Sequence, residues 1–154
     1  MKYAILEGDI VRQPVEAIVN AWNRNWVPWW LLVPSGVAGA IRKSAGTGPF
    51  RELAKHGPMP LGSAVLTGPG KLPFRAIIHV AGIDLFWRAS ELSIRRSVAS
   101  ALTLAEKHAL GSLAIPVIGA GAGGFSAERA LRLITGEIEG HSYAGEITIV
   151  TRGA

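Results

Sequence analysis

Residues 113–125, LAIPVIGAGAGGF, hold the pattern with the clearest chemical consequence: an apolar run that ends in Gly119, Gly121, Gly123 and Gly124. A buried strand that empties into so many glycines leads to a loop that must wrap closely round something. Glycine admits positive φ and leaves its N–H open to a ligand, and successive N–H groups turned inward form an anion nest. A helix expected from about Ser126 would add its positive N-terminal end, so the natural guest is a phosphate. The same letters also fit a plain connector from strand to helix, and the loop by itself does not decide between the two.

Further polar residues fall at strand ends. Gly8-Asp9-Ile10 follows a short first strand over residues 3–6, and Asn20 and Asn23 follow the apolar run VEAIV at 15–19. Ligands of open α/β sheets sit at such ends. Both residue types also have ordinary work there, since Asp and Asn form turns and Asn tolerates left-handed geometry. Segment 22–32, WNRNWVPWWLL, carries four of the five tryptophans together with Pro28, a composition that argues against a regular central strand or a continuous helix. It covers the core, closes over a ligand or meets another subunit.

The elements that must position these residues alternate between strand and helix. Ser35 or Gly36 caps a helix in which Val37, Ala40 and Ile41 have helical spacing, and Gly46 closes it. A second short helix is expected over 50–56, strands over 64–67 and 76–81, and a long helix over 90–110. After the glycine loop come a helix over 126–137 and a last strand over 146–151. His79, within AIIHVA, reads as a satisfied interior histidine. This interleaving predicts a layered α/β domain. No repeat or linker divides it, so residues 1–154 read as a single domain.

With 49% hydrophobic and only 18% charged residues, 154 residues are enough for a real core, and a disordered chain is excluded. The absence of cysteine removes disulfides and thiolate metal sites. His56, His79, His108 and His141 lack ligand-like spacing, so neither metal nor cofactor is expected. The opening MKYAILEGDI does not resemble a signal peptide and no apolar run reaches membrane-spanning length, which leads to the expectation of a soluble cytoplasmic protein with no membrane partner. The net charge of +5 suits anionic partners. Its cations are spread out, with short pairs at Arg42/Lys43 and Arg95/Arg96 and no run that would form a nucleic-acid arm.

Gly8-Asp9-Ile10, AIVNAWN (17–23), GVAGAIRKSAG (36–46), LPFRAIIHVAG (72–82) and AIPVIGAGAGGF (114–125) occur in the order and spacing of the macro domain, which the chain resembles over nearly its whole length. The resemblance implies a three-layer α/β/α fold round a mixed sheet, with an ADP-ribose cleft at the strand ends. Carried over by position, Asp9 accepts from the adenine N6 amino group, Gly8 and Ile10 lie beside it, and Ile10 offers a backbone contact. Asn20 holds the strand end, and Asn23 bonds the distal ribose hydroxyls and is the one catalytic candidate. Ser35, Gly36, Val37 and Ala38 bring N–H groups to the diphosphate, which Gly119, Ala120, Gly121, Ala122, Gly123 and Gly124 embrace from the other side, with Phe125 at the end of the loop.

The chain departs from the hydrolytic branch of that family in three places. Ala38 stands where the branch carries an aspartate, Gly123 where it often carries an aromatic, and the segment between Asn23 and Ser35 is longer and more apolar than in compact members. The resemblance therefore implies first a binding module for ADP-ribose, free or attached to protein or nucleic acid, with weak hydrolysis at most. Two other functions fit the residues: an active ADP-ribosyl hydrolase or O-acetyl-ADP-ribose deacetylase, and a module for RNA or poly(ADP-ribose). Trp26, Trp29 and Trp30 are expected to form either a wall of the distal-ribose pocket or a homo-oligomer contact.

Overall fold

The structure is a computed structural model of the chain and describes residues 3–22, 36–82, 88–120 and 124–152. Apolar side chains alternate along the central strands and so supply two cores, one on each face of the sheet. In β2 (Ala17–Trp22), Ala17 and Val19 join one cluster while Ile18 and Trp22 join the other. In β4 (Ala76–Ala81) the same division separates Ala76, Ile78 and Val80 from Ile77 and Ala81. Strands buried on both faces need helices on both sides.

One side is covered by α1 (Gly36–Ala45) and α2 (Gly48–Ala54). Ile41 and Ala45 of α1 and Phe50 and Leu53 of α2 meet Ile18 and Ile77 there. The other side is covered by α3 (Glu91–Lys107) and α4 (Ala127–Gly140). Ile94, Val98, Ala101, Leu102 and Ala105 form the stripe of α3, and Ala130, Ile134 and Ile138 that of α4. The remaining strands are β1 (Tyr3–Glu7), β3 (Ala64–Thr67), β5 (Ser112–Pro116) and β6 (Glu146–Thr151). Among the described residues they form one six-stranded sheet in the order β1-β6-β5-β2-β4-β3. Only β3 runs antiparallel to its neighbour. This is the expected three-layer α/β/α arrangement with a mixed sheet.

Several boundaries differ from expectation, each for a local reason. Strand β2 does not stop before Asn20 but runs on to Trp22, because Asn20 pairs in register with His79 of β4. Trp22 is thus a buried strand residue, packed 5.2 Å from the Phe50 ring, and not the first residue of an irregular segment. Helix α2 starts two residues early because Pro49 occupies its first turn, where a missing N–H costs nothing. Helix α3 begins after Ser90, whose hydroxyl accepts from Ser93 N while Ser93 Oγ accepts from Ser90 N. Helix α4 continues past Glu137 to Gly140, held by its buried stripe in spite of Gly136. Among the described residues no helix is long and apolar enough to cross a membrane.

Candidate functional site

Five parallel strands bring their carboxyl ends to one edge of the sheet, and β1, β6, β5, β2 and β4 all deliver their outgoing loops there. A cleft of about 170 Å³ opens at this edge on the α1 side. Its described lining is Gly8, Asp9 and Ile10 after β1, Val37 and Ala40 on α1, Pro116 and Val150 at the ends of β5 and β6, and Arg152 beyond β6. Most of the lining residues are glycine or aliphatic, and one aspartate and one arginine stand among them. That composition suits a flat ring with polar margins.

The turn after β1 holds Asp9 in place. Gly8 N donates to Thr151 O at 2.9 Å, tying the turn to β6. Asp9 caps a single 3-10 turn, Ile10–Arg12, with Oδ1 accepting from Val11 N at 3.1 Å. Its other oxygen lies 3.7 Å from Arg12 Nε, an exposed pair worth little in stability. Buried Ile10 anchors the turn from below. Asp9 is therefore both the turn former and a carboxylate presented at the cleft.

Asn20 is fully buried and presents no surface to the cleft. Its amide lies 3.0 Å from His79 Nδ1, and Thr67 Oγ1 lies 2.8 Å from His79 Nε2. His79 is the satisfied interior histidine expected, and burial, with a smaller push from His56, lowers its pKa to about 3. This part of β2 holds the strand whose end leads to the following loop.

The glycine loop is pinched at its base. Phe125 N donates to Gly119 O at 3.0 Å, and Ala120 and Phe125 form a parallel bridge. Gly119 has φ +94°, and a Cβ there would come within 2.5 Å of Ile94 Cδ1 on α3. Gly124 also has positive φ, +81°, but a Cβ there would meet nothing within 4 Å. The two glycines thus serve different needs, one close packing and the other turn geometry. The Phe125 ring lies 4.8 Å from the Arg129 guanidinium, and Glu91 bridges Arg129 and Arg95 at 3.4 and 3.1 Å. Helix α4 begins after Ser126, whose Oγ accepts from Arg129 N.

Of the sequence-predicted residues, Gly8, Asp9, Ile10 and Val37 meet in the cleft. Gly36 opens α1, and Ala38, in its first turn, is half-buried against the core on that side. Gly119, Ala120, Gly124 and Phe125 form the described part of the glycine loop. Asn23, Trp26, Trp29, Trp30, Ser35, Gly121, Ala122 and Gly123 lie outside the described residues. Sequence reasoning missed Ala40, Pro116, Val150 and Arg152 as lining. Ala40 follows Val37 by three residues on one helix face, a signal that was available. Arg152 depends on the register of β6 against β1, which no local pattern carries.

The fold is an α/β domain with a cleft at the carboxyl ends of its parallel strands. The chain belongs to the macro domain family, whose model matches residues 19–134. A macro domain-containing protein of Caldanaerobacter subterraneus subsp. tengcongensis is 37% identical over 153 residues, covering 92% of this chain and 83% of that protein. One from Methanosarcina mazei is 35% identical, covering 93% and 75%. Among solved structures, an Oceanobacillus iheyensis macrodomain variant with ADPR has a TM-score of 0.84 at 26% identity, covering 97% of this chain and 84% of that one. The Trypanosoma brucei macrodomain in complex with ADP-ribose has a TM-score of 0.83 at 28% identity, covering 98% and 63%.

Proposed function

We propose that this macro domain binds ADP-ribose, free or attached to protein or nucleic acid, and that it recognises the ligand far better than it cleaves it. The observation that carries the reading is the cleft at the strand ends, where Asp9 stands beside the aliphatic residues Ile10, Val37, Ala40 and Val150. A purine fits against such residues, and its exocyclic amine is the donor an exposed carboxylate needs. At about 170 Å³ the described cleft suits the adenosine end of the ligand rather than the whole of it. The diphosphate and distal ribose then extend toward the start of α1 and the glycine loop. Solved macrodomains similar to this chain hold ADP-ribose or ADP, which supports the same ligand class.

Weak catalysis follows from Ala38. An alanine at the third residue of α1 offers neither a base nor a hydrogen bond to a water near the distal ribose, and such positioning supplies much of a hydrolase's rate. Calorimetric titration of the full chain with ADP-ribose tests the binding reading. A one-to-one isotherm is expected, and the absence of heat or of competition by ADP at millimolar ligand would overturn it.

A further inference from the structure

We propose that the outer face of α1 and α2 is a docking surface for duplex nucleic acid, held through its phosphate backbone; the inference goes beyond the ADP-ribose reading and does not depend on it. Helix α1 carries Arg42 and Lys43 and no carboxylate, while α2 and the residue after it carry Arg51, Glu52 and Lys55. The turn after β3 adds Lys71, whose N donates to Ala45 O at 2.9 Å. A Cβ at Gly46 would lie 3.7 Å from Lys71 Cε, so the lysine side chain lies over the end of α1. Lys43, Arg51, Lys55 and Lys71 are exposed, and Arg42 is half-buried. Glu52, the one carboxylate among these residues, is turned to Gly68 N, which donates to it at 3.0 Å. All the other described residues together hold nine lysines and arginines and nine aspartates and glutamates, and α3 and α4 on the opposite layer hold five of each. The net positive charge of the described chain therefore sits on this one face.

Helix ends do not account for so much charge. Arg42, Lys43 and Arg51 lie in last turns, but a helix end offers only about half a negative charge, so the two ends together offset about one cation. The chemistry of the face narrows the partner. Among the described residues the exposed large apolar side chains are Ile5, Leu6 and Leu92, none of them on α1, α2 or the Lys71 turn. The face thus lacks the apolar contacts that a membrane-bound helix or the core of a protein interface brings. The aromatic residues beneath it, Trp22, Phe50 and Phe74, are buried. No ring is presented there for unstacked bases, the contact on which single-strand binders rely. What the face offers is guanidinium and ammonium groups for phosphates, which suits a duplex whose bases stay paired and is indifferent to their sequence.

The test titrates the full chain into a fluorescent DNA duplex of mixed sequence over a series of salt concentrations, with melting curves confirming the fold of each variant. Replacing Lys43, Lys55 and Lys71 together by alanine should weaken binding on the order of 10- to 100-fold at low salt and make the log–log salt dependence shallower by about 2–3. Replacing Arg95, Lys107 and Arg132 together by alanine removes as much charge from the opposite layer. At about 0.1 M salt, where charges a Debye length away are screened, that variant should stay within about 3-fold of wild type. Equal losses in the two triple variants would show an effect of net charge alone and overturn the proposal. So would tighter binding to the matching single strand, to poly(ADP-ribose) or to phosphatidylserine vesicles than to the duplex, or no duplex binding by the wild type at low salt. ADP-ribose is titrated separately, and a failure there overturns the ADP-ribose reading while the duplex result alone decides this one.

Discussion

Asn20 and His79 face each other across β2 and β4, fully buried, with the Asn20 amide nitrogen 3.0 Å from His79 Nδ1. An amide N–H donates, so Nδ1 accepts, and the ring proton sits on Nε2, which donates to Thr67 Oγ1. Thr67 in turn donates to Gly68 O at 3.1 Å. This directed chain spans β2, β4 and β3 and holds only while the imidazole is neutral.

The pH dependence of stability follows from it. His79 has a folded pKa of about 3 against an ordinary value of 6.5. The unfolded state therefore binds the extra proton first as pH falls. The contribution is fully present above about pH 6.5 and is lost on acidification down to about pH 3, at up to about 1.4 kcal/mol per pH unit. Denaturant melts of wild type and His79→Gln between pH 7 and 5 check this. The variant should be less stable at pH 7 and show a shallower slope, and parallel slopes would mean that His79 is not held neutral.

Asp9→Ala should weaken ADP-ribose binding by about 1.5–3 kcal/mol through loss of a charge-assisted hydrogen bond. The substitution also removes the cap on Val11 N, so Asp9→Asn is the informative partner. Asparagine can keep the cap through Oδ1, but it carries no charge and its amide would confront the adenine amine. Calorimetry should show both variants weakened, with Asp9→Asn melting closer to wild type. AMP should bind more weakly than ADP-ribose in every variant, because it leaves the distal part of the site empty.

Gly119→Ala should lower stability by about 1–3 kcal/mol. Its added Cβ would come within 2.5 Å of Ile94 Cδ1 and 3.3 Å of Ala89 Cβ, at a φ of +94° that L-residues resist. Gly124→Ala meets nothing within 4 Å and is strained only through its φ. Thermal melts of the two should rank Gly119→Ala as the more damaging, and equal losses would mean that α3 yields to the new methyl.

Catalysis is the sharpest comparison, made on one ADP-ribosylated substrate at matched protein concentrations. Wild type should turn over slowly or not at all, and Asn23→Ala should not raise it. Ala38→Asp, which adds a carboxylate in the first turn of α1, should gain on the order of 10²-fold if it can position water. Robust wild-type turnover that Asn23→Ala abolishes would make this an enzyme first and a reader second.

Local chemistry in the sequence determined much of this protein. Alternating and continuous apolar runs marked the strands, Ser90 and Ser126 marked helix starts, and five short motifs in order identified the fold and the neighbourhood of Asp9, Val37 and the glycine loop. Those signals are legible because each depends on residues a few positions apart. What the tertiary structure decided depends on pairing across the sheet. Asn20 looked like a strand-end residue facing a crevice, yet its register with His79 buries it. At Gly119 only the packed structure shows that the nearest atoms to its missing side chain belong to Ile94 of α3. Arg152 had no local signal at all, since only the parallel register of β1 and β6, residues more than a hundred positions apart, sets it beside Asp9.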